Sequence, residues 1–149
     1  MTTDAVQAVP SPEWQITMVR ADALEQVWPF VVGLVDGLPE DSNGSYTVEG
    51  IVDRLLDGTW QLWVVTKGSL DTTAAIVGTE VYTSMAGDKV CTLHFCKGAH
   101  AKQWTHLLRV IEDAARSIGC VKIEMTARKG WAKRLPDYRM THVILERPL

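Results

Sequence analysis

Between Ala101 and Ile118 the chain carries one apolar stripe at helical spacing, formed by Trp104, Leu107, Leu108, Ile111, Ala114, Ala115 and Ile118. Gly119 follows, a residue that ends helices readily. Apolar runs flank this helix on both sides, Val90 to Lys97 before it and Cys120 to Thr126 after it, and both read as strands. A strand, a helix and a strand in that order return to one sheet through a right-handed crossover, which makes the two strands parallel neighbours. The constraint excludes an all-helical domain. It also turns Trp104, Leu108, Ile111 and Ala115 toward the sheet.

The rest of the chain fits around that unit. Trp14 to Arg20 alternates apolar and polar residues and reads as a strand. Asp22 and Glu25 form a capping-box-like helix start, followed by Leu24, Val27, Trp28, Val31, Val32 and Val35 at helical spacing, with Pro29 as a point of kinking. Gly37 to Ser45 reads as a loop. Thr47 then caps a second helix, with Val48, Ile51, Val52, Leu55 and Leu56, that stops at Asp57-Gly58. Trp60–Thr66, Ala74–Thr83 and Val90–Lys97 are three strands with short links, an antiparallel meander in which Gly78 marks a bulge. A short helix over Lys129 to Leu135, stopped by Pro136, and a last strand over Met140 to Glu146 complete the order β-α-α-β-β-β-α-β-α-β. This is an α+β (mixed α/β) domain, with a mixed and mostly antiparallel sheet and helices on both faces. It spans residues 14–149, behind a flexible polar arm over residues 1–13 that has no secretory pattern.

Composition narrows the function. A net charge of −3 argues against a duplex nucleic-acid binder, so contact with DNA is a secondary expectation. No run is long and apolar enough for a membrane helix. Cys91, Cys96 and Cys120 cannot all pair within one chain, which points to reduced thiols in a cytoplasm. The six tryptophans supply large buried anchors, each with an N–H to satisfy.

The element order from Trp14 onward resembles that of the GNAT acetyltransferase superfamily. A narrower resemblance, to small GNAT-like proteins of tailed bacteriophages and prophages, rests on particular stretches. These are Tyr46-Thr47-Val48-Glu49-Gly50-Ile51, Gly58-Thr59-Trp60-Gln61-Leu62-Trp63-Val64, Ile118-Gly119-Cys120, Ala127-Arg128-Lys129-Gly130-Trp131 and Leu135-Pro136-Asp137-Tyr138. The enzyme resemblance implies acyl-CoA bound where the two crossover strands splay apart, with its pyrophosphate at a glycine-rich turn. The position-matched segment here is Phe95-Cys96-Lys97-Gly98-Ala99-His100-Ala101-Lys102. It has one glycine in place of a spaced pair, although Lys97 and Lys102 supply positive charge. The resemblance implies a catalytic base and acid, for which Glu80 and Tyr138 are the candidates, with Glu124 a second base.

Other constellations carry less. His94 and Cys96, two apart on a strand, are expected to share a face. With His100 and His106 they match no zinc spacing, so no metal is expected, and Cys96 as a nucleophile has no orienting third group. Arg128, Lys129, Lys133, Arg134 and Arg139, with Trp131, concentrate charge and an aromatic anchor that suit a protein partner. The phage resemblance and the single-glycine turn together imply a non-catalytic or degenerate GNAT-like virion or assembly component. Such a protein works through contacts with other virion proteins, in a host cytoplasm or a particle, with an oligomer as one arrangement and no cofactor needed. The alternative is an acetyl-CoA-dependent N-acetyltransferase acting on an amine.

Overall fold

A computed structural model of the chain describes residues 13–149. All of the expected arm except Glu13 lies outside the described residues. The five strands are β1 (Trp14–Val19), β2 (Gln61–Lys67), β3 (Ala75–Thr83), β4 (Lys89–Gly98) and β5 (Lys122–Met125), arranged in sequence order in one sheet. The first three junctions are antiparallel, and β4 with β5 is parallel, as the crossover requires. The expected meander and its chirality-bound βαβ unit are therefore both present.

Helices cover the two faces. On one side lie α1 (Leu24–Val35), the short α2 (Leu38–Asp41) and α3 (Val48–Leu56). Their buried residues Leu24, Val27, Val31, Val35, Ile51 and Leu55 pack on Leu62, Val64, Ile76 and Phe95 of the sheet. On the other side, α4 (Ala101–Trp104) and α5 (Leu108–Ser117) bury Trp104, Leu108, Ile111 and Ala115 against Trp63, Val65, Val77, Cys91 and Leu93. A further helix, α6 (Gly130–Arg134), follows β5. The polar groups these layers enclose are paired. The Trp63 indole donates to Thr79 at 3.0 Å, and Thr79 donates in turn to Gln61 at 2.9 Å.

Several local expectations are corrected. Asp22 does not cap α1, because Arg20 donates to its carboxylate at 2.8 Å and holds it away from the helix start. α1 runs through Pro29 as one element. The loop expected over Gly37 to Ser45 contains α2, with Pro39 in its first turn. Thr47 does cap α3, accepting from Gly50 N–H at 3.0 Å.

The helix expected over Ala101 to Ile118 is broken by a tight turn at Thr105–Leu107. The Trp104 indole donates to the Ala99 carbonyl at 2.7 Å, which fixes the first turn independently of the second. Ile118 is 50% exposed, so the stripe ends one turn earlier than its sequence suggests. The strand expected over Met140 to Glu146 does not form, and Leu145 is 90% exposed. A period-two pattern becomes a strand only against a sheet edge. This segment instead reaches the turn after α2, where Asn43 donates to Glu146 at 2.9 Å.

The layered core predicts a contrast along α5. Leu108→Ala should cost about 2–5 kcal/mol through lost burial and the cavity left behind. Ile118→Ala should change stability by less than ~0.5 kcal/mol, as surface substitutions do. Urea denaturation of the two variants measures both.

Candidate active site at the parting of β4 and β5

β4 pairs with β3 along most of its length but with β5 only from Val90 to Leu93. From His94 to Gly98 its other edge has no strand partner among the described residues, so backbone groups there are available. The parting coincides with a bulge. Gly78 faces Phe95 and Thr79 faces Leu93, so His94 is the extra residue of β4. A side chain on Gly78 would overlap the Phe95 ring, which explains the glycine that marked the bulge in the sequence. The extra residue also shifts the alternation of faces. His94 and Phe95 both turn toward α1 and α3, and Cys96 packs with the α5 side. The expectation that His94 and Cys96 share a face is therefore corrected.

The gap opens into a cleft of about 420 Å³. Its walls are the α2 segment with Tyr46, the end of β4, and the stretch from Met125 through Arg128 to Trp131. His94 lies on this lining with its ring stacked on Trp60 at 4.1 Å and 18°. Its Nε2 lies 2.7 Å from Glu80 Oε1, which also accepts from the Trp60 indole at 3.1 Å. Because a carboxylate only accepts, Nε2 carries a proton, and in the neutral ring the lone pair is then on Nδ1. Tyr46 donates to the His94 carbonyl at 3.1 Å, and its oxygen is 3.4 Å from Nδ1. Burial raises the Tyr46 pKa, partly opposed by Arg54 and reinforced by Glu80, so this phenol stays protonated at neutral pH.

The candidate residues separate in the structure. Glu80 is joined to His94, which the sequence reading had set aside with the zinc pattern. The register could have linked them, because Glu80 faces Thr92 and the next β4 residue on the same face is His94. Tyr46 and Trp60, also missed, gave no sequence signal beyond their aromatic character. Tyr138 is not on the cleft lining; its phenol donates to Glu112 at 2.7 Å. Burial first and that carboxylate second push its pKa strongly upward. Glu124 accepts from Tyr82 at 2.5 Å. Burial pushes the Cys96 thiol up to about 12, which removes the thiolate that nucleophilic chemistry needs.

The turn matched to the pyrophosphate segment is built tightly. Gly98 has φ +153°, and a side chain there would collide with the Ala74 carbonyl and Ala75. The Ala99 N–H donates to Ala74 at 2.9 Å, and His100 is left-handed at φ 61°. Ala101 and Lys102 follow as the first residues of α4, whose N–H groups have no partner within the helix. Phe95, Cys96 and Lys97 line the cleft, and Lys97 is ion-paired with Asp41. The free β4 edge leaves the backbone groups of Phe95 to Lys97 open beside the cleft. Of the residues expected to form a partner surface, Arg128 and Trp131 line the cleft, and Arg134 lies over the Trp131 ring at 5.9 Å. Lys129, Lys133 and Arg139 are exposed.

The fold is that of GNAT acetyltransferases. An aminoglycoside acetyltransferase from an uncultured soil metagenomic sample, in complex with sisomicin, superposes with a TM-score of 0.67 at 12% identity, over 91% of this chain and 96% of the other. A ribosomal-protein-alanine N-acetyltransferase from Brucella melitensis biovar Abortus 2308 gives 0.64 at 10% identity, over 92% and 98%. A GNAT family acetyltransferase from Staphylococcus aureus subsp. aureus USA300_TCH1516 gives 0.61 at 10%, over 92% and 99%. No protein-family model and no curated protein matches the sequence. These structural neighbours are acetyltransferases, which overturns the expectation of a non-catalytic virion or assembly component and leaves the expectation of no cofactor without support. Among the described residues no helix is long and apolar enough to cross a membrane.

The buried thiols give a pH dependence. Burial raises Cys91 to about 11 and Cys96 to about 12, against an ordinary value of 9.0. Above pH 9 the unfolded chain loses these protons while the folded chain keeps them, so stability falls as pH rises. Urea denaturation should give lower stability at pH 10 than at pH 7.5. The double variant Cys91→Ala, Cys96→Ala should show a smaller drop between the two.

Proposed function

We propose that the chain is an acetyl-CoA-dependent N-acetyltransferase acting on a primary amine. The observation that carries this reading is the Glu80–His94 pair seated where β4 parts from β5. The GNAT fold of its neighbours supports it. Acetyl-CoA, when bound, supplies the thioester carbonyl that the amine attacks.

The chain's own residues do the rest. Lys97 and Arg128 bring positive charge to the cleft, and the unpartnered β4 edge holds an extended amide arm in register. His94 touches the cleft and Glu80 does not, so the role of base moves from Glu80 to His94. Nδ1 takes the proton from the acceptor's ammonium, and Glu80 stabilises the imidazolium through Nε2–H. Trp60 holds both, by its hydrogen bond to Glu80 and its stacking on the His94 ring. Tyr46 is the protonated hydroxyl on the lining, placed to return a proton to a leaving thiolate. The phage-type sequence resemblance suggests a phage or prophage gene as the source of such an enzyme.

Calorimetry with acetyl-CoA, followed by a thiol-release assay over a panel of amines, tests the proposal. Binding and amine-dependent release of free CoA are expected. His94→Ala should lower turnover by about 10²–10⁴-fold, the usual worth of a positioned base. Glu80→Gln should lower it far more than Tyr138→Phe, whose hydroxyl serves Glu112. No heat of binding at millimolar acetyl-CoA would refute the proposal.

A further inference from the structure

One ion pair crosses the cleft wall. Lys97, near the end of β4, donates to the carboxylate of Asp41, the last residue of α2, and both line the cleft. The contact is shaped to an ammonium. A Cβ built on Gly37 would lie 2.5 Å from Lys97 Nζ, so the missing side chain makes the room in which that charge sits. Lys97 is also one of the cations on the segment matched to the pyrophosphate turn. It therefore has a second anion to serve, and it cannot neutralise a phosphate and Asp41 equally well.

We propose that Asp41 is the acceptor-side ammonium site of the cleft, and that Lys97 occupies it until the phosphates of the acyl-CoA draw Lys97 away. This rests on the acetyltransferase reading given above. The exchange makes the two substrates help each other. The anionic substrate removes the intramolecular competitor, and Asp41 becomes free for a cationic one. Coupling of this kind is reciprocal.

The acceptor class follows from the charge of the wall. Of the residues on the α2 side that line the cleft, Leu38 to Tyr46, Asp41 is the carboxylate, and none is Lys or Arg. The opposite wall contributes Arg128 and leads into Lys129, Lys133 and Arg134. A carboxylate on one wall and a guanidinium on the other draw a cation and an anion to opposite sides of the cleft. The substrate that uses both Asp41 and His94 is a small polyamine, with one ammonium on the carboxylate and another amine presented to the base.

Calorimetry with spermidine and coenzyme A tests this without turnover, since coenzyme A has no acetyl group to transfer. In the wild type, saturating coenzyme A should tighten spermidine binding about fivefold or more, within the usual range of coupling between sites. Lys97→Met should bind spermidine in the absence of coenzyme A as tightly as the loaded wild type does, with the coupling gone. Gly37→Ala should do the same by displacing Nζ while leaving both charges in place. Asp41→Asn should weaken spermidine, tighten coenzyme A about two- to fivefold in line with a half-exposed ion pair, and abolish the coupling. Wild type that binds coenzyme A with no change in spermidine affinity overturns the proposal, as does Lys97→Met without tighter spermidine. Wild type that binds no coenzyme A overturns the acetyltransferase reading instead. The spermidine titration of Lys97→Met then still decides whether Asp41 is an ammonium site.

Discussion

Opposite Gly78 and Thr79, strand β4 carries one residue more than β3, and that residue is His94. The rest of the site depends on this insertion. It shifts the alternation of β4, so His94 and Phe95 both face the α1–α3 side. The Phe95 ring fills the space that a side chain on Gly78 would take. Pairing with β5 stops at Leu93 and Met125, immediately before the bulge, and the edge beyond is left open. An open edge inside a sheet is normally a liability. Here it lies against a cleft and beside a histidine whose orientation is fixed on three sides by Glu80, Trp60 and Tyr46.

The chemistry follows from the same geometry. A carboxylate paired to Nε2 leaves Nδ1 as the basic atom, and the stacking on Trp60 prevents the ring from turning away. In the proposed reaction Glu80 is a positioning group, joined to the cleft through its contact with His94. The Cys91 and Cys96 thiols and the Tyr138 phenol, of which the sequence reading offered only Tyr138 as a catalytic candidate, are held protonated by burial on the α5 side of the sheet. Charge is divided between the walls, with the Lys97–Asp41 pair as the bridge from one to the other.

Much of this was legible from residue pattern. The crossover from Val90 through the α5 stripe to Met125 was fixed by handedness and periodicity, which are local rules with few exceptions. The Thr47 cap and the Gly78 bulge were legible because each needs a particular residue type. Glu80 was found, but its partner was not, because a bulge tells where a strand slips without telling which residue of the neighbouring strand is extra. The break at Thr105 was hidden because its cause, the indole of Trp104 reaching the Ala99 carbonyl, is a tertiary contact. The strand expected after Met140 failed for a similar reason: alternation records a preference, and pairing needs an edge within reach. The leaning toward an assembly role came from the phage-type resemblance together with a missing glycine in one turn. The chain keeps Gly98, where a side chain would collide with Ala74 and Ala75, and uses left-handed His100 nearby.

Amide chemical-shift mapping during an acetyl-CoA titration tests the central claim, that the parting of β4 and β5 is an acyl-CoA site. Saturable shifts concentrated at His94 to Lys102 and at Thr126 to Trp131, with the amides of β1 and α3 unmoved, are the result this account predicts. Shifts that never saturate, or that cluster away from the β4 edge, would contradict it.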